Sequence, residues 1–182
     1  MGLDMTMYKK TYVQNWEHQK PEQKHTIIVK LGGNVREDIK PERIAYITEV
    51  VAYWRKFNAL HNWIVDNCAE GRDECQEIYI SQNDMENLLN ALKEAKNVLD
   101  RASMKKATIQ TGWDTNGDTF TDIDVYDCED EIKEILPPTS GFFFGSTQID
   151  EYYKNDVERT IEIIDTLLRE DAAADFYYQA SW

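Results

Sequence analysis

Cysteine and histidine are scarce in this chain, and their scarcity removes several chemistries at once. The 182 residues hold three cysteines, Cys68, Cys75 and Cys128, with no C-x-x-C pair. An odd count without pairing motifs points to free thiols in a reducing cytoplasm rather than to a disulfide framework. The three histidines, His18, His25 and His61, stand at no ligand spacing from those cysteines, so no metal centre is expected. Glycine is sparse too: Gly32-Gly33 and Gly141…Gly145 fit neither common phosphate-loop spacing, and no cofactor is implied. No apolar run nears the roughly 20 residues of a membrane span, and MGLDMTMYKK lacks a signal-peptide core. Gly2 and Thr6 satisfy the loose myristoylation pattern. Yet Leu3, Met5 and Met7 alternate with Asp4 and Thr6 as in a half-buried strand. A cytoplasmic protein with no membrane partner is the expectation.

What is present is a globular composition, 42% hydrophobic and 12% aromatic, which argues against disorder. At this length one domain, 1–182, is expected. The net charge of −14 is unevenly placed: residues 1–63 carry a net +3 and residues 64–182 a net −17. Direct nucleic-acid binding is not expected of so acidic a molecule, although a local basic patch could hold a small anion.

Along the chain, residues 2–9 and TIIVKL (26–31) read as strands separated by a polar loop, and Gly32-Gly33 turns the chain. The apolar spacing from Pro41 predicts one long helix over 41–68, ending before Gly71. EIYIS (77–81) is a short strand, and Ser81 with Asp84 forms a capping box for a second helix. Residues 103–136 read as an acidic hairpin elaboration turning at Asn116-Gly117, with nine carboxylates between Asp114 and Glu134 against Lys133 alone. SGFFFGST predicts a short buried strand, then a helix capped by Thr147 with Asp150 and cored by Val157, Ile161, Ile164 and Leu168. A strand ends the chain with Phe176, Tyr178 and Trp182 on one face. These elements make an α+β fold, with a mixed, largely antiparallel sheet and about three substantial helices.

The segment VVAYWRKFNALHNWIV (50–65) concentrates the chemistry. On a helix, Asn58 and His61 fall inside the apolar arc and Arg55 lies at its edge. A buried amide and imidazole need partners, so such an element either braces a polar network or lines a pocket. Trp54, Arg55, Asn58, His61 and Trp63, with Lys9 and Lys10 as anion partners, form the candidate ligand-binding set. No catalytic set is recognisable, because His61 has no serine or cysteine at an elbow to activate. On a continuous helix Trp63 would lie opposite the core stripe, and its exposure would favour a homo-oligomer.

The stretches MGLDM, WEH, YWRKFNALHNW, SGFFFGST and FYYQASW, in that order, resemble a group of small uncharacterised bacteriophage and prophage proteins. The resemblance implies a phage accessory protein acting in a bacterial cytoplasm. Joined to the basic, aromatic first third, it points to a non-enzymatic protein that binds and sequesters a small anionic, nucleotide-derived host ligand in counter-defence. Two alternatives stand beside it. One is an inhibitor whose acidic face, centred on 114–134, docks on a host nucleic-acid-binding enzyme; the other is a nucleotide hydrolase using His61.

Overall fold

The computed structural model describes residues 2–114, 117–171 and 174–182. Its centre is a four-stranded antiparallel sheet in the order β4-β1-β8-β5, formed by β1 (Asp4–Tyr12), β4 (Tyr46–Arg55), β5 (Ile78–Ile80) and β8 (Asp175–Ser181). The chain is α+β, with largely antiparallel strands. Three substantial helices, α1 (Asn58–Cys68), α2 (Gln82–Arg101) and α4 (Glu151–Glu170), are joined by the shorter α3 (Glu129–Ile135). Among the described residues no helix is long and apolar enough to cross a membrane.

Period-2 alternation selects the face that the helices cover. Met5 and Met7 of β1, Trp54 of β4, Ile80 of β5 and Phe176 and Tyr178 of β8 are essentially inaccessible and share one core with Leu60 and Ile64 of α1, Leu88 and Leu92 of α2, and Val157 and Ile164 of α4. The other face is open, and Val50, Tyr8, Tyr177 and Tyr79 stand in cross-strand register along it. The Lys10 ammonium lies 4.1 Å from the centre of the Tyr177 ring. The Ser81–Asp84 capping box forms as read: the Ser81 hydroxyl accepts the Asp84 N–H at 3.1 Å, and an Asp84 carboxylate oxygen accepts the Ser81 N–H at 3.0 Å.

The expected helix over 41–68 is corrected. Residues 46–55 are strand β4, and the helical parts are a single 3-10 turn at Pro41–Arg43 and α1 from Asn58 onward. The reason is legible in residue type. Tyr46, Ile47, Thr48, Val50, Val51, Tyr53 and Trp54 are β-branched or aromatic, and a pleated edge strand suits them better than a helix does. Lys56, at φ 63°, breaks the chain between the two elements. The break also resets the phase of the helix, so Trp63 is 9% exposed within the core, and the surface tryptophan that motivated a homo-oligomer is absent.

Three further boundaries differ from expectation. TIIVKL contributes only β2 (Lys30–Leu31), which pairs with β3 (Asn34–Val35) in an exposed excursion. Asp150 itself caps α4, accepting the Tyr153 N–H at 3.0 Å. SGFFFGST is a loop rather than a buried strand, because Phe143 (φ 71°) and Gly145 (φ 95°) adopt left-handed backbone. The hairpin of β6 (Met104–Asp114) and β7 (Gly117–Tyr126) forms, with Asp114 opposite Gly117. Asn116, the expected turn residue, lies outside the described residues. The elaboration is not separable at 103–136: Val125, Tyr126, Cys128, Ile132 and Leu136 are buried, and all but Val125 belong to the main core cluster.

Candidate functional site

Asn58 opens α1 at the end of β4, and its side chain, 3% exposed, is a complete hydrogen-bonding clamp. The amide nitrogen donates to the carbonyl oxygens of Phe144 (3.2 Å) and Ser146 (2.8 Å), and its oxygen accepts the Thr139 N–H (3.1 Å). Three backbone groups of an irregular segment, which would otherwise lack partners, are satisfied by one buried residue. The N-terminus joins the same knot: Leu3 accepts the Lys56 N–H at 2.8 Å, and its own N–H donates to Phe143 at 3.4 Å. Three stretches distant in sequence, MGLDM, YWRKFNALHNW and SGFFFGST, thus converge here.

Segment 139–146 separates two hollows. The first, of about 460 Å³, is lined by Arg55, Lys56, Asn58, Ser146, Tyr152 and Asp156, among others. Arg55 is exposed, its guanidinium 3.9 Å from Asp4, and Lys56 is exposed beside it. Tyr152 at 81% exposure offers a ring that nothing in the chain covers. Burial pushes the Asp156 carboxyl up to about 6, against the opposing pull of Arg159. Beneath this cleft, Trp54 Nε1 donates to the Thr160 hydroxyl at 2.9 Å, and that hydroxyl donates to the Asp156 carbonyl at 2.6 Å. The chain of bonds ties the end of β4 to the middle of α4.

The second hollow, of about 420 Å³, is lined by His61, Asp66, Asp73, Phe142, Phe144 and Trp182, with small residues between them. His61 is 2% exposed and engaged at both nitrogens, with Tyr178 Oη at 2.8 Å from Nδ1 and Asp73 Oδ2 at 3.1 Å from Nε2. A carboxylate only accepts, so Nε2 carries the proton towards Asp73 and the tyrosine hydroxyl donates to Nδ1. Burial raises the Tyr178 hydroxyl well above its ordinary pKa, which keeps it a donor. With both nitrogens occupied, His61 has no free lone pair for a substrate.

The candidate set is therefore divided. Arg55 and Asn58 line the first hollow and His61 the second, while Trp54 and Trp63 are core. Lys9 and Lys10 line neither. Lys9 is paired with Glu49 (3.0 Å) and Asp171 (2.9 Å), and Lys10 with Glu77 (2.5 Å). Sequence reasoning sees Lys56 and Tyr152 as possible contributors of charge and ring, and misses Ser146 and Asp156. Thiol chemistry has little footing, since burial pushes Cys68 up to about 12 and raises Cys128 as well. Compared with family models, curated proteins and solved structures, the chain matches none.

Proposed function

We propose that this protein is a phage accessory protein that binds and sequesters a small anionic, nucleotide-derived host ligand in the Arg55–Lys56 cleft. The observation that carries the reading is the pairing of two exposed cations with an uncovered aromatic ring in one hollow of about 460 Å³, within the usual size of small-molecule sites. Arg55 and Lys56 supply charge-assisted donors for a phosphate. Tyr152 supplies a stacking face for a base. Ser146 and Gln148 add polar groups at the wall.

The two alternatives have less support. The acidic elaboration is partly neutralised, through Lys105–Asp127 (2.6 Å) and Lys106–Asp124 (2.8 Å) from β6 and through Arg101 of α2 paired with Glu131 of α3. A hydrolase built on His61 lacks a free base nitrogen.

Titration calorimetry with adenosine monophosphate at low salt tests the reading. Saturable one-to-one binding is expected, weakened about a hundredfold by Arg55→Ala with Lys56→Ala, since each charge-assisted contact is worth about a factor of ten. Both side chains are exposed, so the melting temperature should hold. A folded double variant that binds as tightly as the parent would remove the cleft from consideration.

A further inference from the structure

The second hollow differs from the first, whose lining sets Arg55 and Lys56 beside the carboxylates of Asp150 and Asp156. Its lining carries two carboxylates, Asp66 and Asp73, and no lysine or arginine. Asp73 is fixed in place: Oδ2 faces His61 Nε2 at 3.1 Å and Oδ1 accepts the Trp182 indole N–H at 3.3 Å. Each oxygen keeps a further acceptor site, and the side chain is 29% exposed. Three aromatic rings complete the wall. Phe144 is buried edge-to-face against Trp182, with centroids 6.0 Å apart. Trp182 is 47% exposed and Phe142 is 82% exposed, so two large apolar faces at the rim stand in water beside fixed negative charge. The left-handed backbone at Phe143 places its two neighbours oppositely, Phe142 outward and Phe144 inward, a conformation that costs about 1 kcal/mol for a residue with a side chain.

Aromatic faces and carboxylates together recognise one kind of ligand, a cation with apolar substituents. Neither an anion nor a neutral apolar molecule uses both halves of this wall. We propose that the Asp66–Asp73–Trp182 hollow is a binding site for a small alkylammonium cation, distinct from the anion cleft across segment 139–146. The cation's alkyl groups lie against Phe142, Phe144 and Trp182 while its charge is balanced by Asp66 and Asp73. The inference does not depend on the anion reading, because it uses none of Arg55, Lys56 or Tyr152.

Choline is the probe, titrated into the full chain and followed by calorimetry and tryptophan fluorescence. Saturable one-to-one binding is expected, about tenfold tighter than that of 3,3-dimethyl-1-butanol, its uncharged isostere. Phe142→Ala and Asp66→Asn should each weaken choline about fivefold to tenfold without changing the melting temperature. Both positions are exposed, and Asp66 near the C-terminal end of α1 gains nothing from the helix dipole. Asp73 is avoided because it also holds His61 and Trp182. Absence of saturation, equal binding of the neutral isostere, or unchanged affinity in both variants would overturn the proposal.

Discussion

The hollows on the two sides of segment 139–146 share a wall and differ in charge. One sets Arg55 and Lys56 against Asp150 and Asp156 beside Tyr152; the other carries only the carboxylates Asp66 and Asp73 beside Phe142 and Trp182. Both are open, and Asn58 anchors the segment between them. The difference teaches that a buried polar residue inside an apolar arc can be structural and still decide where ligands go. Asn58 binds the loop whose two faces the ligands would meet.

Removing the shared anchor should damage both sides and have the largest effect. Asn58→Ala leaves three backbone groups without partners and should lower stability by about 3 kcal/mol in chemical denaturation, with both binding activities lost. Two glycines should split the effect. A Cβ at Gly145 would lie 3.1 Å from Lys56 Cβ, at a φ of 95° that disfavours any side chain. Gly145→Ala should therefore cost about 1–2 kcal/mol and weaken anion binding alone. A Cβ at Gly141 would fall 2.6 Å from the Phe144 ring, so Gly141→Ala should cost about 1–3 kcal/mol and weaken choline binding alone. Denaturation curves paired with two titrations would read both variants.

A finer contrast comes from pH. With its carboxyl raised to about 6 by burial, Asp156 is neutral below that pH and negative above it. Sulfate keeps its charge across this range, so its binding to the cleft should strengthen several-fold between pH 7.5 and 5.5, and Asp156→Asn should flatten the profile. The same shift favours the protonated form in the folded state. Its contribution to stability is full below about pH 4, the ordinary carboxyl range, and is lost as pH rises through about 6. The smallest effect is expected far from the shared wall. Thr108 and Asp122 sit opposite each other in the hairpin, and replacing residues 108–122 with an Asn-Gly turn should change stability by about 0.5 kcal/mol or less. Both titrations should be unchanged by it.

Much of this fold was legible where one period dominated. The alternation of Leu3, Met5 and Met7, the Ser81 capping box and the closing Phe176/Tyr178 strand all appear as read. The stretch from Tyr46 to Trp54 misled because apolar residues on both faces of a strand imitate a helical arc, and residue type, not spacing, separates the two. Of the candidate set, Asn58 and His61 lie on the two hollows that segment 139–146 separates. The partition into a mixed-charge and an acidic hollow was not legible, since Ser146 reaches the first, and Asp73 and Trp182 the second, only through tertiary contacts. Lys9 and Lys10 illustrate the same point: their acidic partners come from β4, the residue after α4 and the loop before β5.

The most direct test of the partition is a residue-resolved NMR titration of the labelled protein, first with inorganic pyrophosphate and then with choline. The account predicts that pyrophosphate shifts the amides of Lys56, Ser146, Gln148 and Tyr152, and that choline shifts Asp66, Asp73, Phe142 and the Trp182 indole. Shifts from both probes on one common set of residues, or on the hairpin, would contradict it.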